Sequence, residues 1–173
     1  MVSLRAKGSF LKIYYWLPML ILYISVLNEF DFNYLKLKYF SFNFPFILIF
    51  FFTLKDFKYF DYTLVFIAGL FNDTVVGLPL GISSLSYTLI CISTAYLRNI
   101  TLRPDMVKDW LFFLLTILVA TSINYFLLTT FFSVNVNYYD LTGNIFFTFL
   151  LYYLFSYIFD IYQRFVFKEQ TND

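Results

Sequence analysis

The chain has 173 residues, of which 61% are hydrophobic and only 13% are charged, and its formal net charge is +1. These values exclude a soluble domain with an ordinary polar surface and are typical of a polytopic membrane protein. The single cysteine, Cys91, excludes an internal disulfide, and the sequence contains no histidine, so we expect no metal site and no cofactor. The small net charge also gives no support to nucleic-acid binding.

Six apolar windows, taken in chain order, predict six transmembrane helices. Each supplies about 17 to 25 residues once flanking aromatic and basic residues are counted, enough for a hydrocarbon layer of about 30 Å. The predicted spans lie near residues 10–28, 39–54, 61–78, 82–97, 110–132 and 141–163. The second and fourth windows are the shortest, so a tilted or partly re-entrant element is an alternative there.

The twelve basic residues fall mainly in alternate loops. They cluster before span one, between spans two and three, between spans four and five, and after span six, whereas the other loops hold only Lys36 and Lys38. By the positive-inside rule, both termini are therefore predicted to be cytoplasmic. No repeat or Gly/Ser-rich linker divides the sequence, so residues 1–173 are predicted to form a single integral membrane domain.

The end of the third span contains an unusual set of polar and backbone-shaping residues. Gly69, Asp73, Gly77 and Gly81 are spaced four apart, and Pro79 lies between the last two. Residues at this spacing share one face of a helix, and the proline limits how far the helix can continue. The pattern predicts a tight helical hairpin with its bend near the outer membrane face.

Two interpretations of Asp73 are open at this point. A carboxylate near the middle of a bilayer costs about 2.5 to 3.5 kcal/mol on insertion scales, so it normally faces protein or water. Asp73 and Asn72 could hydrogen-bond across a helix-packing corner or to helix-end amides, with Ser83 or Ser84 capping the next helix. Alternatively, Asp73 is a group that binds a partner or a ligand.

Two asparagines lie in the last two predicted spans. Asn124 falls in span five and Asn144 falls at the start of span six. Because such side chains hydrogen-bond between helices in membranes, we expect both to bond to neighbouring helices in a packing role.

The pattern Gly-x-x-x-Asp-x-x-x-Gly-x-Pro-x-Gly, in the third span of a small six-helix protein with cytoplasmic termini, resembles the MreD family of bacterial rod shape-determining membrane proteins. Its residues here are Gly69, Asp73, Gly77, Pro79 and Gly81. The resemblance implies an all-α fold similar to that of the substrate-binding subunits of energy-coupling-factor transporters. It also implies location in the bacterial cytoplasmic (inner) membrane.

The function implied by this resemblance is that of a noncatalytic scaffold of the cell-elongation complex, involved in cell shape and peptidoglycan synthesis. The implied binding partner is MreC, and further implied partners are RodA, a class B penicillin-binding protein and MreB filaments. The five motif residues would then serve helix packing or partner binding.

The first alternative function is that of a substrate-binding subunit of an energy-coupling-factor vitamin transporter. Fold cannot separate the two, since MreD is thought to share that fold. The transporter family uses an Ala-x-x-x-Ala pattern on the first helix, whereas the first predicted span here has no alanine. The outer loops also show no cluster of polar and aromatic residues clearly suited to a vitamin.

A further alternative is an intramembrane enzyme or proton-coupled carrier built on Asp73 and Asp160. Intramembrane hydrolysis needs paired aspartates, a serine with a base, or a metal site, and the sequence assembles none of these. Asp160 lies near the predicted cytoplasmic end of span six and is predicted to pair with Arg164, four residues on. Asp73 lies in the outer half of span three, so we expect no catalytic residues and no enzyme activity.

Overall fold

The computed structural model describes residues 16–27, 41–57, 60–100, 105–133 and 138–170, with side chains up to residue 166. Within these ranges every regular element is a helix, which confirms the all-α prediction. The helices are α1 (Trp16–Leu27), α2 (Phe44–Leu54), α3 (Tyr62–Val76), α4 (Ile82–Ile100), α5 (Met106–Phe131) and α6 (Tyr138–Gln170).

Two helices are long and apolar enough to cross a membrane. They are Met106–Phe131 and Tyr138–Val166, and only 22% of the most apolar window of each is buried within the protein. Helices α1, α2 and α3 are apolar but shorter. By length and composition, α5 and α6 could thus cross a membrane. The six-span topology stays a prediction.

Three helices begin at a residue whose side chain accepts a hydrogen bond from the first turn. Asn43 Oδ1 accepts from the backbone amide of Phe46 at 3.3 Å, and Pro45 follows in the first turn of α2, where a missing N–H costs little. Asp61 and Asp105 cap α3 and α5 in the same way, at 3.1 and 3.2 Å. These caps account for the observed starts, since each satisfies an amide that has no partner inside its helix.

Helix α2 lies in the centre of the structure. All of its residues from 44 to 53 are buried. The Phe50 ring packs edge-on against Phe113 of α5 and Tyr152 of α6, with ring centres 5.0 and 5.5 Å apart. At 11 residues α2 is about 16 Å long, well short of a hydrocarbon layer of about 30 Å. It is therefore a core helix, and it fits the partly re-entrant alternative for the second window.

Helices α4 and α6 are the main neighbours of α2. Helix α4 contacts α2, α3 and α5, and α6 contacts α2 and α5. Helix α1 lies against α3, since the Tyr23 hydroxyl donates a hydrogen bond to the Leu64 carbonyl at 3.0 Å. Helices α2, α4 and α6 run in the same direction, because the Asn43 amide before α2 bonds to Thr148 in the first half of α6 and the residues after α2 pair with Arg98 and Asp160.

Charged side chains pair where α2, α4 and α6 end. Lys55 Nζ lies 3.4 Å from Asp160 Oδ1, and Arg98 of α4 pairs with Asp56. The predicted pairing of Asp160 with Arg164 is wrong, because the end of α2 brings Lys55 to Asp160 instead. These groups lie at the end predicted to be cytoplasmic.

Candidate functional site

Asp73 on α3 caps the N-terminus of α4. Its side chain is fully buried, its Oδ2 accepts from the Gly81 amide at 2.7 Å, and its Oδ1 accepts from the Ser83 amide at 2.8 Å. The Gly81 carbonyl accepts from the Leu85 amide at 2.9 Å, so Gly81 directly precedes the first residue of α4 and accepts its first hydrogen bond. The carboxylate therefore satisfies two amides that have no partner inside α4, at the helix end that favours negative charge.

Two glycines shape the turn that brings Asp73 to these amides. Helix α3 ends at Gly77, whose φ of 73° is left-handed, and the Gly77 amide donates to the Asp73 carbonyl. The Leu78 amide donates to the same carbonyl at 2.9 Å. Gly81 also has a positive φ, 105°, and Pro79 lies between the two glycines. Glycine adopts such angles without strain, so the motif builds a compact reversal of the chain.

Gly69 allows the α3 and α4 backbones to meet. A Cβ atom added at Gly69 would lie 2.4 Å from the Ser84 Cα and 2.6 Å from the Ser84 amide nitrogen. Both are backbone atoms, so no side-chain movement can relieve the overlap. Near Gly77 and Gly81 the described residues place nothing within 4 Å of an added Cβ. Only Gly69 among these three glycines thus permits a close helix contact within the described part of the chain.

The predicted bond from Asp73 to helix-end amides is confirmed, whereas the predicted cap from Ser83 or Ser84 is wrong. The Ser83 hydroxyl instead accepts from Asn72 Nδ2 at 2.9 Å. We call the segment from Gly69 to Leu85, joined by these bonds, the α3–α4 corner. Its five motif residues lie together as a structural unit, and their role in binding a partner stays a prediction.

An open cavity of about 470 Å³ lies beside the α3–α4 corner. We call it the asparagine cavity, because four carboxamide side chains from different helix ends line it. None of the described lining residues carries a charge. Its polar lining consists of Asn43, Asn72, Asn124, Asn144, Ser25, Ser41, Ser83 and Ser86.

Hydrogen bonds hold the asparagines in place. The Ser86 hydroxyl donates to Asn124 Oδ1 at 2.6 Å, and Asn144 Nδ2 donates to the Ser41 hydroxyl at 3.1 Å. The first joins α4 to α5, so the predicted bond from Asn124 to a neighbouring helix is confirmed. The Asn144 bond reaches the residues that precede α2 rather than a helix.

The asparagine cavity could not be predicted from the sequence. The predicted outer loops show no cluster of polar and aromatic residues suited to a vitamin, but the fold assembles a polar and aromatic cluster from residues distant in sequence, with Phe46 and Tyr87 supplying aromatic rings. The only available signal was the presence of asparagine in apolar windows, and that signal does not show which residues meet.

The arrangement offers little for acid–base or metal chemistry. Asp73 and Asp160 lie at opposite ends of α2, so they do not form a carboxylate pair. The described residues contain no group of three or more histidine, cysteine, aspartate or glutamate side chains that could hold a metal ion. The Cys91 thiol lies 3.7 Å from the Thr53 hydroxyl and is buried.

Comparisons with known proteins identify no relative. The resemblance to the MreD family therefore depends on the motif in the α3–α4 corner and on the predicted topology. No protein-family model matches the chain, and no curated protein or solved structure matches it.

Proposed function

We propose that this chain is a noncatalytic, multi-pass scaffold of the bacterial inner membrane, of the MreD type, that acts in the cell-elongation complex. The geometry of Asp73 is the main support for this proposal. Both carboxylate oxygens accept backbone amides of α4, at 2.7 and 2.8 Å, in a fully buried position. The one acid of the motif thus maintains the shape of a helical hairpin, a structural task suited to a scaffold.

The proposed topology has six spans with both termini in the cytoplasm. The ion pairs of Lys55 with Asp160 and of Arg98 with Asp56 would lie at the cytoplasmic interface. The α3–α4 corner and the asparagine cavity would lie at the outer face. This placement keeps the paired charges near water and leaves the apolar faces of α5 and α6 toward lipid or protein.

The outward faces of α5 and α6 are the proposed surface for the partner. An apolar groove of about 400 Å³ between them is lined by Met106, Val107, Trp110, Leu150 and Tyr153. The transmembrane helix of MreC is the proposed occupant. RodA, a class B penicillin-binding protein and MreB filaments would join through the same assembly.

A crosslinking experiment in the native bacterium tests this proposal. A photoreactive amino acid replaces Leu150, which is 51% exposed, and in a matched control it replaces Tyr152, which lies two positions on and is 3% exposed. Crosslinked products are identified by mass spectrometry after gentle extraction. We expect MreC, with RodA or its penicillin-binding partner, from the Leu150 position and not from the Tyr152 position.

Three results would contradict the proposal. Equal crosslinking from both positions, or lipid products alone, would exclude this face as the partner site. Recovery of a transporter coupling subunit with paired ATPases would overturn the scaffold function itself.

The second candidate function is that of a substrate-binding subunit of an energy-coupling-factor vitamin transporter. The asparagine cavity favours it, because a pocket of about 470 Å³ with convergent carboxamides has the size and polarity of a small-molecule site. Against it stands the absence of alanine from the first predicted span. The same crosslinking experiment separates the two functions by the partner it recovers.

A further inference from the structure

We propose that the asparagine cavity binds a neutral small molecule that carries a planar ring with amide-like hydrogen-bonding groups. The cavity volume of about 470 Å³ lies within the range of small-molecule pockets, about 300 to 1,000 Å³. This binding activity is separate from the proposed scaffold function and needs none of its partners.

In three of the asparagines around the cavity, one of the two polar side-chain atoms is hydrogen-bonded within the protein and the other is not. Asn124 Oδ1 accepts from Ser86, and Asn43 Oδ1 accepts from the Phe46 amide, but neither Nδ2 hydrogen-bonds to any described residue. Asn72 has the opposite arrangement, since its Nδ2 donates to Ser83 and its Oδ1 has no partner among the described residues. The cavity thus presents two oriented amide donors and one oriented acceptor.

Tyr87 provides a second, independent observation. This residue of α4 is 1% exposed and lines the cavity. Within the described part of the chain its hydroxyl has no hydrogen-bond partner. Its oxygen is nevertheless not enclosed by protein, because the Ser84 hydroxyl is the one enclosed and unpaired side-chain polar atom among the described residues. The Tyr87 hydroxyl is therefore open to the cavity, where a ligand can replace water as its hydrogen-bond partner.

The described part of the lining favours an uncharged ligand. The described residues that line the cavity include no lysine, arginine, aspartate or glutamate. The nearby carboxylate of Asp73 already accepts two amides of α4. A charged ligand would therefore find no counter-ion among the described lining residues, which favours a neutral one.

The shape of the ligand follows from the carboxamides and the rings. The donors and acceptors on the edge of a planar heterocycle can bond to separate asparagines, taking an N–H from Asn43 or Asn124 and giving one to Asn72 Oδ1. Phe46 and Tyr87, whose ring centres lie 5.9 Å apart, supply apolar surface at the same place. A neutral nucleoside or a pteridine has this combination of an apolar ring face and a polar edge.

Calorimetric titration of the full chain in detergent micelles tests the proposal, with adenosine, uridine and pterin as probes and glucose as a non-aromatic comparison. We expect at least one of the three heterocycles to bind with a dissociation constant below about 100 μM. Tyr87→Phe should weaken that binding about fivefold, because it removes one hydrogen bond. Tyr96→Phe, a matched change at an exposed residue of the same helix, should leave binding unchanged.

Three results would overturn the proposal. They are no binding by any heterocycle at about 1 mM, equal binding of glucose, or binding unaffected by Tyr87→Phe. If Tyr87→Phe lowers the yield of folded protein, Asn124→Ala provides the second test, and its unchanged affinity would also exclude the site. Since no rod-complex partner is present in the titration, failure here is distinct from failure of the scaffold function.

Discussion

Replacing Asp73 tests whether its carboxylate stabilises the α3–α4 corner. Asp73→Leu leaves the amides of Gly81 and Ser83 buried without an acceptor. At about 1 to 3 kcal/mol for each unpaired group, we expect a loss of about 2 to 6 kcal/mol in the free energy of unfolding. Asp73→Asn keeps one acceptor oxygen, but its NH₂ group faces the other amide, so we expect a loss of about half that size.

The assay is the thermal midpoint of the detergent-extracted chain, followed by size-exclusion chromatography after heating. Asp61→Asn is the matched control, because Asp61 is an exposed cap whose carboxylate accepts the Thr63 amide at 3.1 Å. Asparagine caps helices about as well as aspartate, so we expect no more than a few tenths of a kcal/mol there. A midpoint of Asp73→Leu equal to that of the unaltered chain would refute the capping argument. Equal losses in the two Asp73 variants would instead show that the negative charge is the essential property.

Three further predictions concern packing, charge and orientation. Gly69→Ala should lower the free energy of unfolding by about 1 to 3 kcal/mol, because the added Cβ overlaps the Ser84 backbone. The same thermal midpoint measures this loss, and an unchanged midpoint would exclude the close contact. Asp160→Asn should lower the free energy of unfolding by at most about 1 kcal/mol, since its ion pair with Lys55 is partly exposed to solvent. A larger loss would show that the pair behaves as a buried one. Tyr139→Cys, in a Cys91→Ser background, should react with an impermeant maleimide from outside intact cells, whereas reaction only after lysis would reverse the proposed orientation.

The prediction of the fold from sequence succeeded for the local features. The apolar windows indicate helices because each hydrophobic run is longer than a strand needs, and the bend at Gly77 follows from the restricted backbone around Pro79. Residues 1–15, 28–40 and 101–104, which include several basic residues used to predict the topology, lie outside the described residues. The six-span arrangement thus stays a prediction.

Long-range features could be predicted only in part. A bond from Asp73 to helix-end amides is one of the interpretations that the sequence offers, and it is the one observed, whereas the local serines do not cap α4. The burial of α2 inside the protein could not be predicted, because a run of phenylalanine and isoleucine is equally suited to lipid and to a protein core. The asparagine cavity combines residues as distant as Asn43 and Asn144, which no sequence period connects.

The α3–α4 corner and the asparagine cavity share two residues. Asn72 and Ser83, joined by a 2.9 Å hydrogen bond, belong to the corner and also line the cavity. A ligand that binds only the folded corner stabilises it by mass action, by about 2.7 kcal/mol at about 100 times its dissociation constant. We therefore expect a saturating heterocycle probe to raise the thermal midpoint of Asp73→Asn toward that of the unbound unaltered chain. A probe that binds Asp73→Asn yet leaves its midpoint unchanged would show that the cavity forms independently of the corner.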